Sequence, residues 1–355
     1  MDAAQAFSGT KPVDPRVAFD EAALTRWLAD HVEGFAGPLT IRQFKGGQSN
    51  PTYRLETPGR AYVLRRKPPG TLLPSAHAVD REFRVISALH PTGFPVARPY
   101  ALCTDDLVIG SMFYVMEAVE GRILWDAELP GLEPTERGAI YEAEIATLAH
   151  LHQTDVEAVG LADYGRPGNY FARQVERWSK QYRASETQPI PAMDRLIAWL
   201  PETTPVQERT SIVHGDYRLD NMIFDADASQ VRAVLDWELS TLGDPLADFT
   251  YFLMPWILPE MGGGRGGLLG RDLASLGIPT LEEAVARYCV LTDREGVPQL
   301  DWYFAYNLFR IGAILQGIAG RVRDGTAVSA RAAEQGARVP LLAAGAWTFA
   351  ERAGA

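Results

Sequence analysis

The sequence predicts an α+β fold of two lobes, a mostly β N-lobe followed by a larger, mostly helical C-lobe. A chain of 355 residues is too long for one small core. Its first third contains short apolar runs bounded by Gly, Pro, Asp and Asn, which is typical of strands. After that, apolar residues recur at helical spacing over longer segments. We place the boundary so that the N-lobe covers residues 1–119 and the C-lobe covers residues 120–355.

The composition is that of an ordinary soluble globular protein, with 46% hydrophobic and 22% charged residues. A formal net charge of −11 argues against a protein that binds nucleic acid, which needs a basic face. Cys103 and Cys289 are too few for a disulfide framework and lack metal-ligand spacing, so we expect two reduced core thiols.

The sequence shows neither a secretory signal nor a membrane-spanning run. The most membrane-like stretch, residues 251–258, is shorter than the roughly 17 apolar residues that a spanning helix needs. We therefore expect a cytoplasmic enzyme without a membrane or nucleic-acid partner. Monomer and dimer both stay open.

The N-lobe is predicted to begin with a helix and to continue as strands. Apolar residues from Asp20 to Val32 recur with the spacing of an amphipathic helix. A second helix, which carries Glu82, is predicted over residues 79–89. The predicted strands cover residues 39–44 and 61–67, and lie around residues 97–102 and 107–117.

A polar GGQSN segment leads from the first of these strands toward the next. Gly46 and Gly47 allow the backbone to approach phosphate oxygens closely. Ser49 and Asn50 carry side chains that can donate further hydrogen bonds to a phosphate. An ordinary turn is the alternative, and the segment alone does not decide between them.

The stretch from Ser211 to Phe249 concentrates polar residues between short apolar runs. Asp216 and Asn221 are five residues apart, and Asp236 follows a third, β-branched run. Protein kinases have this spacing of Asp and Asn in their catalytic loop, and a second Asp at a later strand end. In phosphoryl transfer one carboxylate orients the attacking hydroxyl, while oxygen ligands hold Mg²⁺ against the phosphates. Each residue alone is typical of a turn, but together and in this order they indicate a catalytic site.

The segment that begins at His214 resembles the Brenner motif of the aminoglycoside phosphotransferase and choline-kinase family, which is related to protein kinases. More narrowly, the chain from about Gly37 onward resembles the phosphotransferase domain fused to, or encoded beside, acyl-CoA dehydrogenases. The phrases that carry this narrower resemblance are YVLRRKPPG from Tyr62, LLPSAHAVDREFRVISAL from Leu72, RQVERW from Arg173 and HGDYRLDN from His214. The resemblance implies a protein-kinase-like fold and transfer of the γ-phosphate of ATP to a hydroxyl group of a small molecule.

The resemblance also implies roles for residues of the catalytic stretch. Asp216 accepts or orients the hydroxyl proton, and Asn221 and Asp236 hold Mg²⁺. Asp248 is expected to anchor the catalytic loop near His214, and His214 is expected to be architectural rather than an acid or base.

In the N-lobe, the resemblance implies a clamp for the phosphates and a site for the base. The position that is usually lysine in the family falls on Arg65, which is expected to bind the phosphates and to pair with Glu82. Lys67 lies on the same face of the strand and is the alternative cation. The backbone from Glu117 to Val119 is expected to meet the edge of the adenine.

The sequence does not determine the acceptor. The narrower resemblance implies a hydroxyacyl-CoA or a related hydroxy acid, and a functional association with an acyl-CoA dehydrogenase. The broader resemblance implies an aminoglycoside. Because Arg65 replaces the usual lysine, a nucleotide-binding regulatory pseudokinase is a third alternative. The choice between ATP and GTP stays open. The glycine-rich run 262–267 is either a loop beside the acceptor or plain disorder, and the sequence does not decide between them.

Overall fold

The computed structural model describes residues 9–45, 50–68, 77–259, 267–326 and 332–355. It confirms the predicted α+β fold, with an antiparallel sheet in the N-terminal part and helices in the C-terminal part. The strands are β1 Thr10–Lys11, β2 Thr40–Phe44, β3 Thr52–Glu56, β4 Ala61–Arg66, β5 Pro99–Cys103, β6 Phe113–Glu117, β7 Ser211–Val213, β8 Met222–Phe224, β9 Val231–Val234 and β10 Thr241–Gly243. The helices are α1 Glu21–His31, α2 Val79–Leu89, α3 Pro134–Gln153, α4 Tyr170–Ser185, α5 Pro191–Glu202, α6 Leu246–Phe252, α7 Met254–Ile257, α8 Leu273–Leu276, α9 Leu281–Thr292, α10 Leu300–Arg323, α11 Ala332–Gly336 and α12 Val339–Arg352.

The N-terminal sheet is antiparallel and has the order β1-β2-β3-β4-β6-β5. Strand β4 lies inside it, with Arg65 opposite Thr52 of β3 and Tyr114 of β6. Helix α1 begins after Asp20, whose carboxylate accepts a hydrogen bond from the Ala23 amide at 2.9 Å. The apolar face of this helix packs in the same core as the buried side chains of β3 and β4.

The predicted strand over residues 107–117 is shorter than expected. Only Phe113–Glu117 joins the sheet, as β6, and residues 106–109 form a turn. Gly110 has a φ of 86°, which extended backbone does not allow, so the chain reverses before the strand begins. Leu107 is 92% exposed and therefore lies at a loop tip, whereas Ile109 is buried in the core of the N-terminal part.

The C-terminal part is organised around the long helix α10. Its buried residues face the neighbouring helices on most sides. Helix α12 begins at Val339, and Pro340 lies in its first turn, where proline is tolerated. Both cysteines are buried and unpaired, as expected. Within the described ranges, no helix is both long and apolar enough to cross a membrane.

The hairpin of β8 and β9 is hydrogen-bonded to segments on both sides of it. The Arg122 amide donates to the Phe224 carbonyl, and the Phe224 amide donates to the Arg122 carbonyl, both at 2.9 Å. The Val234 amide donates to the Pro95 carbonyl at 2.8 Å. Asn221 directly precedes this hairpin and Asp236 follows it. These bonds therefore hold the candidate metal ligands against the chain that follows β6 and α2.

Candidate active site

The backbone of the catalytic loop is held by one buried carboxylate. Asp248 is 1% exposed, and its two oxygens accept hydrogen bonds from the amides of His214, at 2.5 Å, and Gly215, at 2.8 Å. Burial alone raises the pKa of Asp248, but hydrogen bonding and nearby histidines outweigh burial, so that the pKa lies below its ordinary value. This is the position that the sequence analysis assigned to Asp248 as an anchor.

His214 is fully buried, and both of its ring nitrogens face backbone groups. Nε2 lies 2.8 Å from the Leu235 carbonyl, and Nδ1 lies 3.2 Å from the Asp216 amide. Because a carbonyl only accepts and an amide only donates, we assign the proton to Nε2. The ring joins the residue before Asp236 to the backbone of Asp216, which matches an architectural role.

Gly215 is required where the loop passes the segment after Asp236. Its φ is 88°, and a Cβ at this position would lie 2.8 Å from the Leu239 carbonyl oxygen. A larger residue would therefore meet both backbone strain and a backbone contact. The glycine keeps the loop of Asp216 in contact with the turn that follows Asp236.

Donors from three directions surround the Asp216 carboxylate. Asn221 Nδ2 donates to the Asp216 carbonyl at 2.9 Å and to Oδ2 at 3.0 Å. Arg218 Nε donates to the same Oδ2 at 3.1 Å. The Tyr251 hydroxyl is also hydrogen-bonded to Asp216; burial, followed by the charge of Asp216, raises the pKa of this tyrosine to about 12. These donors fix the orientation of the carboxylate, as a group that positions a hydroxyl proton requires.

The segments that carry Asn221 and Asp236 are held together by a hydrogen bond. The Leu235 amide, next to Asp236, donates to the Asn221 carbonyl at 2.8 Å. Asp236 has left-handed backbone angles, with a φ of 65° and a ψ of 60°. Such strain in a residue other than glycine is common at functional sites. Because the Asn221 amide nitrogen donates to Asp216, its amide oxygen is the end left for a cation.

An amide oxygen and a carboxylate fit Mg²⁺, which prefers hard oxygen ligands. Proteins usually hold this ion by one or two such groups together with substrate phosphates. Among the described residues, no group of three His, Cys, Asp or Glu side chains is arranged to hold a metal. A site that holds Mg²⁺ partly through substrate phosphates does not need a group of three such side chains.

Arg65 connects the N-terminal sheet to the candidate metal ligand. Its Nε lies 2.8 Å from Glu82 Oε2 and its Nη2 lies 2.6 Å from Asp236 Oδ1. The same Nη2 lies 3.5 Å from Glu238 Oε2. Burial raises the pKa of Glu82, and the charge of Arg65 opposes that rise. No carboxylate of the described chain pairs with Lys67, so the geometry favours Arg65 over Lys67 as the cation of this site.

Glu82 is more deeply buried than its position at the edge of the helical apolar face indicated. It is 1% exposed and accepts hydrogen bonds from Asn50 Nδ2 at 3.0 Å and from the Tyr114 hydroxyl at 3.1 Å. Asn50 Oδ1 lies 3.0 Å from His77 Nδ1. Both ends of the Asn50 amide are therefore engaged, and this placement favours support of Glu82 over a phosphate contact.

The other residues expected to contact phosphate are Gly46, Gly47 and Ser49, and they lie outside the described residues. The same holds for residues 262–266 of the glycine-rich run. The roles predicted for them stay predictions.

The backbone after β6 offers hydrogen-bonding groups where adenine was expected. The Glu117 amide is already used, since it donates to the Arg98 carbonyl at 2.8 Å. Val119 is half-buried, and neither its N–H nor its C=O has a partner among the described residues. Of the two, Val119 therefore has the free amide.

Sequence analysis missed three cationic or aromatic groups near Asp216. Arg218 is paired with Asp216 and lies 3.3 Å from Asp220 Oδ1. Tyr251 and Arg310 come from α6 and α10, far away in the sequence. Arg218 was detectable from its place two residues after Asp216. Nothing local marks the other two, since both belong to apolar helical runs.

Comparisons with known proteins show the family of the chain. Residues 40–283 match the family described as "Phosphotransferase enzyme family". The chain belongs to this phosphotransferase family. It is 47% identical to the mouse "Acyl-CoA dehydrogenase family member 10" over 97% of the chain and 32% of that protein. It is 42% identical to the human "Acyl-CoA dehydrogenase family member 11" over 86% of the chain and 40% of that protein. The chain thus spans about a third to two fifths of these relatives.

Solved structures show the same fold for this phosphotransferase. A putative aminoglycoside phosphotransferase from Ralstonia eutropha JMP134 has 52% sequence identity and a TM-score of 0.87, over 94% of this chain and 99% of that chain. An aminoglycoside phosphotransferase APH(4)-Ia mutant in complex with AMP-PNP and hygromycin B has 16% identity and a TM-score of 0.57, over 94% and 99%. At such low identity the second likeness supports the fold alone, which is the predicted kinase-like, two-lobed one.

Proposed function

We propose that this phosphotransferase moves the γ-phosphoryl group of ATP, bound with Mg²⁺, to a hydroxyl group of a small molecule. The observation that carries the proposal is the ion-pair chain from Glu82 through Arg65 to Asp236. It connects a phosphate-binding cation to a metal ligand, and the hydrogen bonds of Asn221 continue it to Asp216. A solved relative of the same fold is a complex with AMP-PNP, an ATP analogue.

Each group has a defined task in this reaction. Asp216 orients the acceptor hydroxyl and receives its proton, and Asn221 and Arg218 hold the carboxylate in place. Asn221 and Asp236 would hold Mg²⁺, which neutralises charge on the phosphates when bound. Arg65 contributes a second positive charge to the phosphates. The ion pair with Glu82 fixes the position of the Arg65 side chain. The Val119 backbone is the contact for the base.

For the acceptor, we propose a hydroxyacyl-CoA or a related hydroxy acid. Two relatives of high identity are named as acyl-CoA dehydrogenase family members and are far longer than this chain, so we also propose a functional association with such an enzyme. Arg218 and Arg310 bring positive charge to the surroundings of Asp216. Arg218 is balanced by Asp216 and Asp220, whereas no carboxylate of the described residues forms an ion pair with Arg310, so Arg310 is the group that would favour an acidic or acyl compound.

The intact ion pair of Arg65 argues against a regulatory pseudokinase. The guanidinium reaches the same carboxylate partner that the lysine of kinases uses. The arginine therefore replaces the lysine without removing the charge.

The test is phosphate transfer from ATP and Mg²⁺ to a panel of hydroxyacyl-CoAs, free hydroxy acids, aminoglycosides, choline and homoserine. We expect transfer to a hydroxyacyl compound, and a loss of about 10²-fold or more in turnover for Asp216→Asn. Nucleotide affinity should be retained. The control is Asp227→Asn, an exposed aspartate in the turn between β8 and β9. Full activity of Asp216→Asn would exclude Asp216 as the group that orients the hydroxyl.

A further inference from the structure

Arg310 is a buried guanidinium without a carboxylate partner. It lies on α10, is 8% exposed, and donates from Nη2 to the Gly215 carbonyl at 2.6 Å. No carboxylate of the described residues forms an ion pair with it. Asp216 contributes to its electrostatic surroundings, but that carboxylate is already engaged by Asn221 and Arg218. A buried charge without a counter-ion is costly, which makes its retention beside a reactive carboxylate informative.

Aromatic rings line the sides of the Arg310 guanidinium. Its central carbon lies 5.1 Å from the ring centre of Tyr251 and 5.8 Å from that of Trp178. Arg177 lies 5.2 Å from the same Trp178 ring and adds further positive charge. Ring faces stabilise a cation without neutralising it. The rings therefore leave the charge of Arg310 in place.

The remaining N–H groups of Arg310 are accessible to a ligand. A guanidinium has five N–H groups, of which the Gly215 carbonyl uses one. Among the described residues, Arg310 nitrogens are absent from the buried polar atoms that lack a partner. The nitrogens of Arg310 that make no hydrogen bond are therefore not completely enclosed by the described residues. A residue that served only to brace Gly215 would not need these donors.

We infer that Arg310, between Trp178 and Tyr251, forms an acyl-oxygen subsite of the acceptor pocket. It binds a carboxylate, or the carbonyl oxygen that replaces it in a thioester, on the molecule whose hydroxyl Asp216 orients. A guanidinium suits a carboxylate because its planar fork donates two parallel hydrogen bonds. The inference rests on the proposed function and adds to it the residue that selects an acyl compound over a plain alcohol.

The first experiment compares acceptors in wild type, Arg310→Lys and Arg310→Gln. The acceptors are a hydroxy acid, its CoA thioester, and an alcohol of the same chain length without the acyl group. We expect kcat/KM for the two acyl acceptors to fall about 10- to 100-fold in Arg310→Gln, the loss of one charged hydrogen bond. The alcohol should change less. A larger loss for the free acid identifies the carboxylate as the ligand, and a larger loss for the thioester identifies the carbonyl. Equal losses of kcat/KM for all three acceptors would mean that Arg310 only stabilises the loop of Asp216 and does not bind the acceptor.

The second experiment needs no phosphate transfer, so it separates this inference from the proposed function. Butyrate is titrated into the full chain while tryptophan fluorescence is followed, with Trp178→Phe showing which part of the signal comes from Trp178. We expect saturable quenching in wild type and a large loss of butyrate affinity in Arg310→Gln. If that variant does not fold, Arg310→Lys, which keeps the charge but not the fork, should bind more weakly than wild type.

The matched control is Arg137→Gln. Arg137 also donates to two backbone carbonyls of the C-terminal part, those of Leu129 and Leu276. Butyrate binding should be unchanged in this control. Quenching that depends on Arg310 without transfer to any acceptor would keep the subsite and reject the proposed acceptor. Failure of butyrate to bind wild type, with transfer to hydroxy acids intact, would overturn the subsite alone.

Discussion

At the scale of single residues, Arg65 shows why an arginine can occupy a position that is usually lysine. Its Nε contacts Glu82 on α2 while its Nη2 contacts Asp236 after β9. An ammonium is one compact charge at the end of a flexible stem, whereas a guanidinium presents separate donors in a fixed plane. Arginine can therefore contact two acidic groups from different elements at the same time.

We expect Arg65→Gln to lower kcat/KM for ATP by about 10- to 100-fold, because it removes charge-assisted hydrogen bonds to phosphate. Arg65→Lys keeps the charge and should fall between this variant and wild type. Lys67→Gln is the matched control and should have little effect. Initial rates at varied ATP concentration measure all three. A larger loss in Lys67→Gln than in Arg65→Gln would assign the clamp to Lys67.

At the scale of elements, the β8–β9 hairpin determines where the candidate metal ligands Asn221 and Asp236 lie. Its hydrogen bonds to Arg122 depend on the close approach of Gly121, where a Cβ would lie 2.1 Å from the Phe224 carbonyl oxygen. The contact is with backbone, which cannot rotate away. The linker after β6 and the hairpin thus fit together only with glycine at this position.

Gly121→Ala should lower the free energy of unfolding by about 1–3 kcal/mol, because a core-like contact is overpacked. It should also lower the affinity for ATP, since Val119 lies two residues away. Gly59→Ala is the control, because a Cβ there meets no atom within 4 Å. Urea unfolding and nucleotide titration provide the two measurements. Identical behaviour of the two variants would mean that the linker can shift without consequence.

At the scale of the whole molecule, charge distribution differs from net charge. The chain carries a formal charge of −11, yet two guanidinium groups, those of Arg218 and Arg310, lie beside the loop of Asp216. A global excess of acidic residues therefore says little about the ligand of one pocket. The sum of charges acts on solubility and long-range attraction, whereas recognition depends on the groups within a few ångströms.

Metal and nucleotide should bind this protein cooperatively. Arg65 occupies Asp236 Oδ1, so Mg²⁺ alone must compete with a guanidinium, whereas phosphates draw the guanidinium toward themselves. ATP with Mg²⁺ at about 100 times Kd should add about 2.7 kcal/mol of stability, and Mg²⁺ alone should add much less. In Arg65→Gln, Mg²⁺ alone should raise the melting temperature more than it does in wild type, with Lys67→Gln as the control. Equal shifts with Mg²⁺ alone in wild type and Arg65→Gln would exclude this competition.

The sequence by itself determined the features that depend on local spacing. The helical periods of α1 and α2 and the apolar run of β4 predicted those elements, because the spacing of buried residues in each is set by backbone geometry. The spacing from Asp216 to Asn221 indicated a catalytic loop, since both residues come from one short segment. The resemblance added the pairing of Arg65 with Glu82, which the structure contains.

Only the tertiary structure decided the contacts between elements that are distant in the sequence. It placed the Asn50 amide against Glu82 rather than toward phosphate, began the expected strand only after Gly110, and brought Arg310 beside the loop of Asp216. Local patterns do not specify such contacts, because the sequence around a polar residue in an apolar helix is the same whether its side chain faces a neighbouring residue or a ligand. The packing of α10 against the loop of Asp216, and not any motif, brings Arg310 to the Gly215 carbonyl.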